Sequence, residues 1–320
     1  MYRTGLALLL GLAATGTCAQ SYPSRPVRII VAYAPGGGSD ALARLLAPRL
    51  TREFGQQFIV DNRPGGNTLI AMQLLALAPP DGHTLGVIDT AFVINPPLMD
   101  KLPYDPIRAF APVTLLATSP FVLVVHPAVQ ARSVAELVVV AKARPGQITF
   151  SSAGSGSGTR IASDQFRKAA GIDILQVPYK GGAPSGAALI GGEVDASFAT
   201  LPLMFSHVRA GRARALAVTG SHRYGLLPEV PTFAEAGFRE VSANGFWGVV
   251  APAGVSQAVV TRLNEAMSRY LQAPDMREAL AQMHFEGGQA GMTAVQFGAF
   301  LKAEFARWEK AVRETGARLD

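Results

Sequence analysis

Three glycine turns carry the residues best placed to do chemistry. The first is Pro35-Gly36-Gly37-Gly38-Ser39-Asp40, which follows an apolar, β-branched run at Val27 to Val31. Leucines then recur at helical spacing, at Leu42, Leu45, Leu46 and Leu50. This order reads as strand, glycine turn, helix N-terminus. The first N–H groups of a helix lack internal partners, and the macrodipole adds about half a positive charge there. Such a turn is suited to holding an anion. A second turn, Gly154-Ser155-Gly156-Ser157, follows a short strand and opens a helix at Ile161 to Ala170. A third, Tyr179-Lys180-Gly181-Gly182, precedes a helix from Pro184 to Ile190. Lys180 and Arg160 are the candidate cations. Asp40 has two readings: a first-turn acid complementing the helix dipole, or a contact to a ligand N–H or hydroxyl.

Catalytic arrangements fail on spacing. Gly36-x-Gly38-x-x-Ala41 with Asp61 some twenty residues on imitates a dinucleotide fingerprint, but Pro35 precedes the turn and the glycines run consecutively. Neither Ser155 nor Ser157 has glycine two residues away on both sides, as a nucleophile elbow needs. His83, His126, His207, His222 and His284 are scattered, and no cluster has metal-ligand spacing. The sequence therefore predicts a binding protein with no catalytic residues, no metal and no cofactor.

The elements that must position these turns alternate between strand and helix signals after residue 24, the pattern of an α/β protein with a largely parallel sheet. Expected strands are Phe58 to Val60, Thr84 to Ile88, Phe121 to Val125, Gln147 to Phe150, Ala196 to Ala199, Arg214 to Val218 and Phe246 to Val250. Thr68 to Ala78 reads as a helix. A proline-rich loop is expected from Asn95 to Pro106. Ser133 caps a helix to Ala143, with Glu136 completing a capping box. Two amphipathic helices close the chain, capped by Ser256 and Thr293. The last buries Phe297, Phe300, Leu301, Phe305 and Trp308 along one face. The runs at Phe121 and Phe246 would be two crossings between two similar units. That predicts one lobe of residues 24–123 with 246–320, a second of residues 124–245, and a ligand cleft and hinge between them.

The chain has 320 residues, 49% of them hydrophobic and 16% charged, so two packed cores are within reach. Its net charge of +6 is spread along the chain. That argues against nucleic acid and is compatible with an acidic small molecule. Residues 1–19 carry Arg3, an apolar run and the small-residue end Thr17-Cys18-Ala19, and read as a secretory signal. The alternative is a lipoprotein signal acylated on Cys18. Cys18 is the only cysteine, so a chain cut after Ala19 holds no disulfide. The expected destination is the periplasm.

Tyr33-Ala34-Pro35-Gly36-Gly37-Gly38-Ser39-Asp40, Asp61-Asn62-Arg63-Pro64-Gly65, Leu102-Pro103-Tyr104-Asp105-Pro106, Val177-Pro178-Tyr179-Lys180-Gly181 and Ala251-Pro252-Ala253-Gly254 together resemble the Bug family. These are the TctC-type solute receptors of tripartite tricarboxylate transporters. The resemblance implies a type II periplasmic-binding-protein fold, two lobes each with a mostly parallel sheet flanked by helices, closing on one small carboxylate. It implies a monomer partnered by large and small membrane subunits, or by a sensor protein in an orphan binder. Carboxylate contacts carried over from the family fall on Pro35, Gly36, Gly37, Gly38, Ser39 and Asp40, and on Gly154, Ser155, Gly156 and Ser157. Thr68, Tyr179, Lys180 and Thr200 complete the expected ligand-binding set. Four places depart from the family pattern: Gly66-Asn67-Thr68-Leu69 replaces the usual Ala-Gly-Gly-Asn, Gln73 stands near the place of an acid, Ala199-Thr200 stands where an Asp-Asn pair is common, and His83 replaces a usual tyrosine.

Overall fold

A computed structural model describes residues 22–99 and 101–317. The expected signal segment and Cys18 lie outside the described residues. Nine strands among the described residues form one sheet path, β2-β1-β3-β9-β4-β7-β5-β6, with β8 pairing β4. The first half contains β1 (Val27–Val31), β2 (Phe58–Asn62) and β3 (Thr84–Asp89). β1 pairs in parallel with both β2 and β3. The second half contains β5 (Thr149–Ser152), β6 (Leu175–Pro178), β7 (Ala196–Thr200) and β8 (Arg214–Val218), and β5 pairs in parallel with β6 and β7.

Two long strands join the halves, and both run antiparallel to their neighbours. β4 (Phe110–Val125) pairs with β9 (Asn244–Pro252) from Phe110 to Pro120, then with β7 from Phe121 to Val125. It changes partners between Pro120 and Phe121. Proline donates no N–H to a ladder, so Pro120 suits the position where one ladder ends.

Helices cover the sheet. α1 (Gly38–Phe54), α2 (Leu69–Ala76) and α3 (Ala91–Leu98) belong to the first half. α4 (Val134–Ala143), α5 (Gly158–Ala170), α6 (Gly182–Ile190) and α7 (Leu201–Arg209) belong to the second. α8 (Gln257–Gln272), α9 (Pro274–Gln282) and α10 (Ala294–Thr315) close the chain. Leu42, Leu46 and Leu50 of α1 pack with Leu263 and Met267 of α8 over one face of the first half. α10 buries Phe297, Leu301 and Trp308 on the other face, while Phe300 and Phe305 are partly buried. Phe150, Phe166, Phe198 and Phe233 form an aromatic core in the second half.

Several elements differ from expectation. The proline-rich stretch begins as helix α3, with Pro96 and Pro97 in its last turn. The strand expected at Phe121 begins at Phe110, because its first eleven residues pair with β9. Three helices, not two, close the chain, since Pro274 opens α9 directly after α8. The Ser133 hydroxyl does accept the Glu136 N–H at 3.1 Å, but the Glu136 carboxylate takes the Arg132 N–H at 2.7 Å. The reciprocal box forms instead at Thr293 and Gln296 of α10.

Candidate functional site

The C-terminal ends of β1 and β3 face those of β5 and β6, where the two halves meet. A cavity of about 210 Å³ opens there. The first half lines it with Ala32, Tyr33 and Gly65 to Thr68, and the second half with Ala153 to Ser155 and Pro178 to Lys180. Of the expected residues, Thr68, Gly154, Ser155, Tyr179 and Lys180 therefore border this cavity. Pro35 to Asp40, Gly156, Ser157 and Thr200 do not. Gly156 and Ser157 brace its walls through bonds to Asn67 and Gly154.

Asp40 is bound up in its own loop. Its carboxylate, almost fully buried, accepts the Gly36 N–H, the Arg44 guanidinium and the Asn62 amide, each at 3.0 Å. Burial alone would raise this carboxyl, but those bonds outweigh it and hold it below the usual carboxylate range. These bonds make Asp40 a brace of its own turn. Gly36 sits at φ +92, which a residue with a Cβ rarely adopts. A Cβ there would lie 3.7 Å from Ala183 Cβ, so this turn abuts the second half. Gly37 caps α1 with ordinary extended backbone, φ −84. No acceptor among the described residues meets the N–H groups of Gly37, Gly38 or Ser39.

The second turn is braced in the same manner. Ser157 caps α5: its hydroxyl accepts the Arg160 N–H and donates to the Gly154 carbonyl at 2.7 Å. Its hydroxyl is thus committed to the loop. The Ser155 side chain, half-buried and lining the cavity, has no hydrogen-bond partner among the described residues. Arg160 is not available as a cation, because it pairs with buried Asp164 at 3.0 Å. Lys180 is exposed, borders the cavity and has no ion-pair partner among the described residues. Thr200 stands at the end of β7 as the N-cap of α7, with no side-chain capping bond.

Asn67 is the residue that sequence reasoning missed. Its amide oxygen accepts the Gly156 N–H of the opposite half at 2.9 Å, and its amide nitrogen donates to Asn95 Oδ1 at 2.7 Å. Asn95, fully buried, donates back to the Asn67 carbonyl at 2.8 Å and to the Thr68 hydroxyl at 3.1 Å. Asn67 and Thr68 both have positive φ, 52° and 73°. Asparagine tolerates that region better than most residues. The available signal was the departure of Gly66-Asn67-Thr68-Leu69 from the family pattern.

Tyr33 and Asp89 are a second unforeseen pair. The Tyr33 hydroxyl donates to Asp89 Oδ1 at 3.0 Å, and the Ala91 N–H donates to the same oxygen at 3.0 Å. Burial pushes the Asp89 carboxyl up to about 6 despite both bonds. Burial, with the Asp89 charge beside it, also holds the Tyr33 phenol well above its ordinary value.

A family profile described as "Tripartite tricarboxylate transporter family receptor" matches residues 42–317. The protein BugT of Bordetella pertussis is 35% identical over 97% of this chain and 94% of its own. Among solved structures, Rpa4515 of R. palustris with adipate superposes with a TM-score of 0.89 at 33% identity, over 93% of this chain and all of that one. MatC from Rhodopseudomonas palustris with bound malate superposes with a TM-score of 0.86 at 29% identity, over 91% of this chain and all of that one.

Proposed function

This chain belongs to the TctC family of tripartite tricarboxylate transporter receptors, and on that premise we propose that it captures a small carboxylate between two lobes and delivers it to a transporter's membrane subunits. The family is one of periplasmic solute-binding receptors, not of enzymes. The lobes of this reading are residues 24–123 with 246–320, and residues 124–245. Residues 1–19 direct export to the periplasm.

The observation that carries the reading is the cavity between the halves. It is walled by backbone turns, the free Ser155 hydroxyl and Lys180, and it is flanked by two helix N-termini, those of α1 and α5. Backbone N–H groups at such termini hold an anion without a buried countercharge. Structures related to this chain at 33% and 29% identity contain adipate and malate, both carboxylates. The contacts of this reading are the Ser155 hydroxyl and the Lys180 ammonium, with Thr68 and Tyr179 bounding the ligand and the α1 N-terminus at Gly37 to Ser39 adding its partial positive charge from beside the cavity. Thermal-shift screening of the purified protein against mono-, di- and tricarboxylates tests it. A ligand at 100 times its Kd adds about 2.7 kcal/mol of stability. An absence of any shift across the panel at millimolar concentration would sink the reading.

A further inference from the structure

We infer that His284 of the first half and Phe205 of the second form an aromatic latch that holds the halves closed and sets how tightly a bound ligand is kept. The inference rests on the two-lobe reading above and adds a device that biases closure.

The backbone at His284 is locally unfavourable. α9 ends in a turn where the Phe285 N–H donates to the Leu280 carbonyl at 2.8 Å and the His284 N–H to the Ala281 carbonyl at 2.9 Å. That turn puts His284 in the left-handed region, at φ 63, where glycine is the usual residue. α1, α5 and α10 end on glycines in the same region, Gly55, Gly171 and Gly316. The His284 side chain also keeps its Nδ1 enclosed with no hydrogen-bond partner among the described residues. Both costs are local, and the contact that offsets them lies in the other half. The centroid of the His284 ring stands 3.7 Å from that of Phe205 on α7, with the ring planes 34° apart. Burial holds the imidazole below its ordinary pKa, so above neutral pH it meets Phe205 as an uncharged ring.

Each ring is anchored in its own half. Met276, Leu280 and Phe285 pack in the core of the first half, and Glu286 exchanges backbone hydrogen bonds with Thr118 of β4. Phe205 packs against the core of the second half and meets Tyr224 edge-on at 6.5 Å. A contact between two rings held in this way is lost when the halves part. Among the described residues, Asn67, Thr68 and His284 are the non-glycine residues with positive φ. Asn67 bonds Gly156 of the opposite half, and His284 stacks on Phe205. Strain of this kind persists where surrounding contacts over-determine it, and at two of these three residues the side chain reaches across to the other half.

Calorimetric titration of the full chain with adipate and malate at pH 8, together with small-angle scattering of the ligand-free protein, tests the latch. His284→Gly is expected to melt no lower than the wild type, because glycine suits the turn. It is nevertheless expected to bind about threefold or more weakly, with a larger ligand-free radius of gyration, because the competent state is less populated. Phe205→Leu is expected to give the same loss and the same enlargement. The double variant is expected to bind no more weakly than the weaker single variant, since both substitutions remove one contact. A loss below about threefold or an unchanged ligand-free radius in either folded variant, or a double-variant loss equal to the product of the single losses, overturns the latch and leaves the carboxylate reading standing. If the wild type binds neither acid, the carboxylate reading fails, and the ligand-free radii of the variants still decide the latch.

Discussion

Asp89 is a carboxyl group enclosed beside a tyrosine, with no cation to offset its charge among the described residues. Its raised folded-state pKa, about 6, has a definite sign in stability. In the unfolded chain the group loses its proton near pH 4, so between about pH 4 and pH 6 the folded state binds more protons. Stability therefore falls as pH rises through that window and levels above it. A shift of about two units corresponds to roughly 3 kcal/mol. Urea unfolding of the wild type at intervals from pH 4 to pH 7 should show the fall. The difference between wild type and Asp89→Asn isolates the contribution of Asp89 from that of other groups. A parallel pair of curves would mean that Asp89 is not held in this environment. Asp40 behaves in the opposite sense. Its depressed pKa contributes stability that is present above pH 4 and lost below it, because its three bonds are made to the ionised form.

The glycine turns looked equivalent in sequence, but their packing separates them. A Cβ on Gly37 meets nothing within 4 Å, and its backbone is in a region any residue adopts. A Cβ on Gly156 would stand 2.1 Å from Asn67 Nδ2 and 2.2 Å from Asn95 Oδ1. Gly156→Ala should therefore push Asn67 and Asn95 apart and remove the bond that crosses between the halves. An affinity loss of tenfold or more, about 1.4 kcal/mol, is the expected result by calorimetry. Gly37→Ala should change melting and affinity by less than about 1 kcal/mol, the usual range for an exchange at a helix N-cap. If the two alanine variants behave alike, the bridge from Asn67 to Gly156 has no energetic role.

At the scale of the whole molecule, β4 and β9 connect the halves as continuous strands, the Asn67–Gly156 hydrogen bond crosses between them, and little room is left between Gly36 and Ala183, Gly181 and Tyr33, and Gly158 and Thr90. Each contact is small, and one hydrogen bond contributes about 1 kcal/mol net. Closure of this kind is a population that a ligand shifts by its differential affinity. Small-angle scattering should show a smaller radius of gyration with a bound carboxylate than without. Asn67→Ala should enlarge the ligand-free value and weaken binding severalfold, since the competent state is then less populated. An unchanged radius in every case would mean the halves do not move.

Local composition was enough to determine the α/β class, the strand–turn–helix units and the family resemblance. Hydrophobic periodicity and glycine turns act over a few residues, and a motif such as Tyr33 to Asp40 is contiguous. The cavity-lining roles of Thr68, Gly154, Ser155, Tyr179 and Lys180 were legible for the same reason. Tertiary structure alone decided what the turns do. The Ser157 cap and the Asp40–Arg44 pair are local, but the Asn62 amide that also holds Asp40 comes from 22 residues away. The Asn67–Asn95–Gly156 bridge joins residues 28 and 89 positions apart, and the Tyr33–Asp89 pair spans 56. Contacts at such separations exist only once the sheet order sets strands far apart in sequence side by side, so these bridges could not be read along the chain.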